Sequence, residues 1–212
     1  TQLYPQADHM ASHPSFLLEK IRTDWPQHAS LIMAANNSRP ACHVRIRSSL
    51  ISRANFIHHQ HPLPSRKGLA PEAMILPVGT AVKELKGYDD GWFYVQNDGT
   101  QHLPIVLADW SGQKLLDACS GVGGKTFHLL DFIDHTCHIE ALEPNPSQRA
   151  LFEANAQRLK LRPKHLWTEK LEAWAEKQPQ PIYDAVILDV PCSSSGVIAK
   201  HPEIKHRCTP SR

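Results

Sequence analysis

The feature that most constrains the fold is an alternation of short apolar runs with helical stretches, which begins after Ser111-Gly112 and continues to residue 190. Such an alternation is typical of βαβ units and a parallel sheet. The predicted strands are residues 114–119, 138–143, 165–167 and 183–190, and the predicted helices are residues 126–133, 146–161 and 169–177. The sequence therefore predicts an α/β domain in its second half.

The residues before this alternation predict a smaller α+β region. Apolar residues recur with helical spacing from Pro14 to Asn36, and Trp25-Pro26 interrupts them, so two short helices are expected. The other predicted elements are a strand at residues 43–47, a loop at 55–67, and a hairpin of strands 78–85 and 92–95 around turn residues 87–91. We therefore predict an N-terminal subdomain with its linker hairpin at residues 1–110 and a main domain at 111–212.

Composition places few limits on the function. The net charge of +2 is too small to indicate nucleic-acid binding by itself. No apolar run approaches the roughly 18 residues of a membrane helix, and no signal peptide is recognisable, so we expect a cytoplasmic chain. The five cysteines are scattered, which argues against a disulfide framework. His58, His59 and His61 have no Cys or acid at ligand spacing. We expect a monomer without a metal.

A glycine-rich loop follows the first predicted strand of the sheet. In doubly wound sheets, ligands bind at the carboxyl ends of strands, where glycines let the backbone approach them. A phosphate-binding loop would need glycine where Cys119 stands, and a dinucleotide loop would need glycine where Thr126 stands. A methyl-donor site needs an acid that ends the strand and a small, glycine-rich turn. Asp117 and the three glycines, Gly121, Gly123 and Gly124, fit that third description.

The second predicted strand ends in Glu143, about 20 residues after the glycines. An acid at this position can hydrogen-bond the hydroxyls of a ribose. A phosphate-binding loop has no need of such an acid, whereas both classes of nucleoside-cofactor site do. Taken alone, Glu143 fits a solvated strand end better. Only the combination of Asp117, the glycines and Glu143 favours a methyl-donor site.

The fourth predicted strand ends in Asp189, which is followed by Pro191 and Cys192. The end of a buried strand is a common place for catalytic residues. Methyltransferases that act on exocyclic nitrogens tend to carry a polar residue followed by Pro-Pro-aromatic here, but in this chain a cysteine follows the proline. A thiolate that adds to carbon-6 of cytosine makes carbon-5 able to accept a methyl group. Cys192 therefore indicates that the methyl group is transferred to a carbon atom of a pyrimidine. The alternative is that Cys192 is an unreactive, buried cysteine.

These motifs resemble those of the ribosomal RNA small subunit methyltransferase B family, which is a Sun/Fmu-type family of RNA cytosine-C5 methyltransferases. The family's loop Cys-Ala-Ala-Pro-Gly-Gly-Lys-Thr corresponds to residues 119–126, and its Asp-Ala-Pro-Cys-Ser-Ala-Thr-Gly-Val-Ile corresponds to residues 189–198. Similarity extends over about residues 12–206, including residues 35–40 and 91–96. The resemblance implies a Rossmann-like class I methyltransferase domain, truncated at its C-terminus, after a small α+β RNA-binding subdomain.

The resemblance also implies a reaction and the residues that serve it. The expected reaction transfers a methyl group from S-adenosyl-L-methionine to carbon-5 of a cytosine in small-subunit ribosomal RNA. Asp189 would face the cofactor and the base, and Cys192 would help to release the methylated RNA. The nucleophile would be a second cysteine, in a Thr-Cys-Ser motif expected beyond residue 212. The implied cofactor-binding residues are Cys119, Ser120, Gly121, Val122, Gly123, Gly124, Lys125, Glu143, Asp189 and Glu169, the last in the place of an adenine-side aspartate.

Four residues of the implied site depart from the family pattern. Gly121 replaces an alanine, Val122 replaces a proline, and Glu143 and Glu169 replace aspartates. Each glutamate is one methylene longer and can still accept hydrogen bonds, so we expect weakened or altered cofactor binding. The alternative hypothesis is a truncated, non-catalytic remnant that binds RNA or cofactor.

Overall fold

The computed structural model describes residues 12–133, 136–178 and 180–207, which contain both helices and strands. The helices in these ranges are α1 Ser15–Asp24, α2 Ala29–Asn37, α3 Arg53–Gln60, α4 Leu103–Val106, α5 Gly124–Phe132, α6 Pro146–Leu159, α7 Leu171–Ala175 and α8 Ile204–Arg207. The strands are β1 Cys42–Ile46, β2 Arg66–Lys67, β3 Ala73–Leu76, β4 Phe93–Val95, β5 Lys114–Asp117, β6 His138–Leu142, β7 His165–Trp167 and β8 Ala185–Ile187. Short 3₁₀ turns lie at Val82–Glu84, Gly99–His102 and Ser195–Val197.

The chain divides into two units, which are described separately. The described part of the smaller unit contains residues 12–40 and 191–207, and the larger unit runs from Ala41 to Val190. The predicted domain boundary at residue 111 stays a prediction. None of the helices in the described ranges is both long and apolar enough for a membrane span.

The smaller unit contains the two helices that the N-terminal periodicity predicts. Helix α1 ends next to Trp25, whose position before Pro26 disfavours helical backbone. Helix α2 begins three residues after that proline, as predicted. The apolar faces of these helices share one core with the C-terminal residues of the unit, formed by Leu17, Ile21, Ala29, Met33, Ile198 and Ile204.

An antiparallel sheet in the order β2-β3-β1-β4 forms the first part of the larger unit. The predicted strand at 43–47 is confirmed as β1, which lies between β3 and β4. Val44 marks the middle of this sheet, because it pairs with Met74 on one side and Val95 on the other. The buried core of the sheet comprises Val44, Ile46, Ile51, Phe56, Met74, Leu76 and Phe93.

Two predictions in this region are wrong, and the first concerns the expected loop at residues 55–67. Helix α3 and strand β2 occupy most of these residues. Ser52 caps the helix, because its hydroxyl oxygen accepts the backbone N–H of Asn55 at 3.1 Å. Phe56 is fully buried, and its ring centroid lies 5.3 Å from that of Phe93. The prolines that suggested a loop lie only after the helix ends.

The second wrong prediction is the hairpin of strands 78–85 and 92–95. Residues 82–84 form a 3₁₀ turn, and β4 pairs with β1, which lies far away in sequence. The turn itself is present as predicted, since the N–H of Trp92 donates to the carbonyl of Gly87 at 3.0 Å. Both turn glycines, Gly87 and Gly91, have positive φ values of 83° and 70°. Adjacent residues therefore predicted the turn correctly, whereas the strand pairing depends on residues far apart in sequence.

The second sheet is parallel, in the order β7-β6-β5-β8, and confirms the predicted βαβ alternation. The predicted start of α6 is also confirmed, because the side chain of Asn145 accepts the N–H of Ser147 at 2.9 Å and Pro146 takes the first helical position. Strand β8 is shorter than the predicted 183–190. The carboxyl ends of β5, β6 and β8 meet at one edge of this sheet.

Two arginines, Arg45 on β1 and Arg47 just after it, connect the antiparallel sheet to helix α5 through Asp131. Arg45 Nη1 lies 3.0 Å from Asp131 Oδ2, and Arg47 Nη2 lies 2.9 Å from Asp131 Oδ1. Arg45 is fully buried. Burial alone would raise the pKa of Asp131, but the hydrogen bond from Arg47 and the charges of both arginines lower it below its ordinary value. Asp131 therefore pairs with two buried guanidinium groups, and Glu72 adds a second carboxylate 3.6 Å from Nη1 of Arg45.

We expect Asp131→Asn to lower the free energy of unfolding by about 3 kcal/mol, because removing one partner of a buried ion pair leaves an uncompensated charge. Urea unfolding at pH 7 measures this. Because the pKa of Asp131 is below its ordinary value of 3.8, its stabilisation is present above that pH and is lost as the pH falls through the lowered pKa. The difference between wild type and variant should therefore shrink in acid.

Glu153→Gln is the matched control for this substitution. It breaks the exposed Arg162–Glu153 ion pair of the same unit, and such pairs contribute about 0–1 kcal/mol. Equal, small effects of the two substitutions at pH 7 would show that the Asp131 contacts do not stabilise the fold.

Candidate cofactor site

The glycine loop joins the end of β5 to the start of α5 in a tight turn. The N–H of Gly123 donates to the carbonyl of Ser120 at 2.8 Å. Gly121 and Gly123 have positive φ values of 54° and 91°. A Cβ on Gly123 would lie 2.1 Å from the ring of Phe127, whereas a Cβ on Gly121 would meet no atom within 4 Å. Gly123 is therefore required by packing, and the space beside Gly121 is open.

Asp117 ends β5 beneath this loop and is almost completely buried. Its Oδ2 accepts the hydroxyl of Thr126, in the first turn of α5, at 2.6 Å. Its Oδ1 has no hydrogen-bond partner within the described ranges. Burial raises the pKa of Asp117, and hydrogen bonds from the hydroxyl of Thr126 and the backbone of Cys119 oppose this rise. The carboxyl group thus anchors the start of α5.

Glu143 ends the neighbouring strand, and its carboxylate connects two loops. Oε2 accepts the N–H of Gly121 at 2.9 Å, and Oε1 accepts the N–H of Asn145 at 2.7 Å. The side chain is buried. Each carboxylate oxygen can accept a further hydrogen bond, so these contacts leave capacity for a ligand hydroxyl. The acid that was expected to bind a ribose also binds the glycine loop.

A third acid, Asp189, lies just beyond β8 and forms an ion pair with Lys125 of α5. The side chain of Asp189 is 60% exposed and that of Lys125 is 22% exposed. Because the two residues follow neighbouring strands, the pair lies at the same sheet edge as the glycine loop. It presents an exposed carboxylate held by a partly buried ammonium group.

The other expected site residues have different surroundings. Glu169 follows β7, and its Oε1 lies 2.6 Å from Nζ of Lys177. The thiol of Cys119 is half-buried at the start of the loop, and burial together with nearby carboxylates raises its pKa, so it is a protonated thiol near neutral pH. Cys192 belongs to the smaller unit, where it is exposed and its Sγ accepts the N–H of Ser194 at 3.3 Å.

Three residues that contact the loop were not expected from the sequence. Tyr94 and Asn155 both donate to the carbonyl of Val122, and Gln96 donates to the carbonyl of Gly124. Tyr94 and Gln96 lie about 28 residues before the loop in sequence, so no local motif connects them to it. Among the described residues, no group of three or more His, Cys, Asp or Glu side chains is arranged to hold a metal ion.

The two sheets and the glycine loop define a class of protein, namely a Rossmann-like methyltransferase domain preceded by a ferredoxin-like domain. Residues 104–212 match the family described as 16S rRNA methyltransferase RsmB/F, and residues 13–82 match the RsmF/B-like ferredoxin-like domain. The chain therefore belongs to the RsmB/F family of 16S rRNA methyltransferases. The family that the motifs resembled is thus confirmed.

Individual relatives agree with this assignment. The chain is 31% identical over 202 residues to "Probable ribosomal RNA small subunit methyltransferase B" of Coxiella burnetii, a match that covers 92% of this chain and 46% of the relative. The chain thus spans about half the length of the curated relatives it matches.

Two solved structures from Pyrococcus horikoshii share the fold. A methyltransferase homolog has a TM-score of 0.75 at 21% identity and covers 92% of this chain and 66% of that one. NSun6 with SFG has a TM-score of 0.73 at 16% identity and covers 87% of this chain and 72% of that one.

The same substitution at two loop glycines should have unequal effects. Gly123→Ala should lower the free energy of unfolding by about 2–4 kcal/mol, because it combines left-handed backbone with overlap against Phe127. Gly121→Ala should cost about 1–2 kcal/mol, because only the backbone conformation is unfavourable there. Urea unfolding of both variants measures the difference. Equal losses would contradict the close contact between Gly123 and Phe127.

Proposed function

We propose that this chain forms the cofactor-binding part of an S-adenosylmethionine-dependent rRNA cytosine-C5 methyltransferase that acts on small-subunit ribosomal RNA. The observation that carries the proposal is the set of three acids, Asp117, Glu143 and Asp189, around the glycine loop at one sheet edge. Membership of the 16S rRNA methyltransferase family supports it. We further propose that the protein is monomeric and acts in the cytoplasm, with RNA as its partner.

Methyltransferases of this family use S-adenosylmethionine, and the residues at the sheet edge fit that cofactor. The space beside Gly121 is open, and Asp117 Oδ1 is a buried acceptor without a partner in the described ranges. When bound, S-adenosylmethionine supplies an electrophilic methyl group on a positively charged sulfur. In the proposal, Glu143 accepts the ribose hydroxyls while it holds the N–H of Gly121.

Glu169, which replaces an aspartate of the family pattern, lies on the adenine side of the proposed site. Glu169 would accept hydrogen bonds on the adenine side, but its carboxylate is also paired with Lys177. Adenine and Lys177 would therefore compete for the carboxylate of Glu169, or both would bind it. Cys119, Ser120 and Lys125 complete the proposed cofactor-binding set, and Ser120 is itself held by Leu142, whose carbonyl accepts its hydroxyl at 3.2 Å.

The exposed carboxylate of Asp189 suits the recognition of cytosine. Asp and Glu side chains accept hydrogen bonds from the N4 amino group of cytosine, and uracil has a carbonyl oxygen at that position. A base taken out of its stack could meet Asp189 at the sheet edge. In the proposal Lys125 holds the carboxylate in position, because the two groups form an ion pair. This contact would favour cytosine over uracil.

Methylation of carbon-5 uses two cysteines in the proposal, one that attacks the base and one that assists release of the RNA. Cys192 would have the second role. A thiolate adds to carbon-6, carbon-5 accepts the methyl group, and the carbon-5 proton and the thiolate then leave. The resemblance gives the attack to a Thr-Cys-Ser motif, and that tripeptide does not occur in the 212 residues. Cys192, which follows the strand-end proline and is exposed, would assist release of the methylated RNA.

Titration calorimetry with S-adenosylmethionine tests the cofactor assignment on the 212-residue chain. We expect binding by the wild type and a Kd that is about ten- to a hundredfold higher in Glu143→Gln, because the neutral amide loses charge-assisted hydrogen bonds. Glu153→Gln, the same change at an exposed position on α6, should leave the Kd unchanged. A folded chain that gives no heat would contradict the cofactor, and an unchanged Kd in Glu143→Gln would contradict the role of that acid.

An RNA methylation assay tests the reaction. Because the 212 residues contain no Thr-Cys-Ser tripeptide, the assay uses a protein that carries this chain together with that motif. After incubation of small-subunit ribosomal RNA with this protein and S-adenosylmethionine, mass spectrometry of the digested nucleosides should detect 5-methylcytidine. Methylation on N4 of cytidine would contradict carbon-5 chemistry. If that protein binds the cofactor but methylates nothing, the alternative of a non-catalytic remnant is favoured.

The same assay tests the helper role of Cys192. Cys192→Ala should leave covalent attachment to RNA intact and slow its release, so protein–RNA adduct should accumulate on a denaturing gel. If Cys192→Ala abolished both turnover and adduct, the residue would be the nucleophile instead.

A further inference from the structure

We propose that Tyr94, Gln96 and Asn155 are positioning residues that set the conformation of the glycine loop for the methyl donor. They act through hydrogen bonds to the carbonyl groups of Val122 and Gly124. This inference rests on the proposed function, because it gives the loop its role in cofactor binding. It goes further in assigning part of that binding to residues outside the βαβ motif.

The carbonyl of Val122 receives two side-chain donors. Tyr94 Oη lies 3.2 Å and Asn155 Nδ2 lies 3.1 Å from this oxygen. The other end of the same peptide group is also held, because the N–H of Gly123 donates to the carbonyl of Ser120 at 2.8 Å. The orientation of this peptide group is therefore fixed at both of its polar atoms.

External contacts matter here because the loop has little conformational restraint of its own. Glycines lie on both sides of Val122, and both have left-handed backbone. A glycine populates many backbone conformations, so a loop of this composition loses considerable entropy when it is ordered. Side chains that already hold the loop reduce the ordering that a ligand must bring about. The affinity for the cofactor should therefore depend on them.

Gln96 holds the next part of the loop and is itself held. Its Nε2 lies 3.3 Å from the carbonyl oxygen of Gly124, and its Oε1 accepts Nε of Arg45 at 3.2 Å. Arg45 also binds Asp131. Gly124 begins α5 and Asp131 lies in its last turn, so Gln96, just after β4, and Arg45 on β1 contact opposite ends of one helix. The antiparallel sheet thus sets the start of the helix that carries the loop.

Tyr94 is the residue whose contribution can be tested most cleanly. It is buried, and its ring packs edge-on against Phe127 with centroids 6.3 Å apart. Burial raises the pKa of Tyr94 to about 12, so the hydroxyl stays a donor at any assay pH. Tyr94→Phe removes that donor, together with the acceptor that Asn155 Nδ2 contacts at 3.4 Å, and keeps the ring in its core position.

The first experiment is calorimetry with S-adenosylmethionine on the 212-residue chain. Tyr94→Phe should raise the Kd about three- to tenfold, which corresponds to the loss of one neutral hydrogen bond. Tyr88→Phe is the matched control, because the ring of Tyr88 contacts the guanidinium of Arg158 at 4.3 Å instead of the loop. The control should leave the Kd unchanged.

The second experiment needs no ligand and separates this inference from the proposed function. With ¹⁵N-glycine labelling, only the ten glycines appear in the amide spectrum. Hydrogen exchange of the Gly123 amide should be faster in Tyr94→Phe than in the wild type, and unchanged in Tyr88→Phe.

The combined outcomes decide both questions. Faster Gly123 exchange in Tyr94→Phe supports the positioning role even if the wild type gives no binding heat, a result that would refute only the proposed function. If the wild type binds S-adenosylmethionine and Tyr94→Phe leaves both the Kd and the Gly123 exchange unchanged, the positioning role is wrong. A lower Tm with both of those values unchanged would show that Tyr94 is merely structural.

Discussion

The larger unit depends on the carboxylate of Asp131, which binds two arginines of the neighbouring sheet. Arg47 extends this contact, because its Nη1 also donates to the backbone carbonyls of Gly91 and Leu159 at 3.1 and 2.8 Å. A turn of the antiparallel sheet, the end of α6 and helix α5 therefore meet at one guanidinium group. Buried ion pairs are costly to desolvate, and removing one partner leaves an uncompensated buried charge. Here they fix how β1 meets the helix that follows the glycine loop.

Helix α5 also carries a buried histidine, His128, close to these charges. Burial and the charge of Arg45 lower the pKa of His128 to about 3, so this side chain is neutral near pH 7. The pKa values of His128 and Asp131 are both lower in the folded chain than their ordinary values of 6.5 and 3.8. As the pH falls below each ordinary value, the unfolded chain therefore binds a proton before the folded chain does. Stability therefore falls with pH first through the histidine and then through the aspartate. The contact between the antiparallel sheet and α5 therefore stabilises the fold more at neutral pH than in acid.

Local patterns predicted the parallel sheet, the glycine loop and the cap of α6, because each of these is encoded within a few adjacent residues. The antiparallel sheet was predicted less well, since β1 pairs with strands that lie far from it in sequence. Arg45 on β1 and Arg47 just after it are two residues apart, which is also the spacing of an exposed strand face. Their burial depends on a partner on α5 that no local pattern reveals. For the same reason, the loop contacts of Tyr94 and Gln96 could not be predicted.

The departures of the loop from its family pattern have a physical consequence. Where the family motif has alanine and proline, Gly121 and Val122 allow the backbone a wider range of conformations. In this chain the longer side chain of Glu143 reaches the N–H of Gly121, and Tyr94 with Asn155 holds the carbonyl of Val122. Hydrogen bonds from three other elements thus supply a restraint that a proline ring would supply within the loop. The conformation of the loop is therefore sensitive to changes in the antiparallel sheet, through β4 and the arginines behind it.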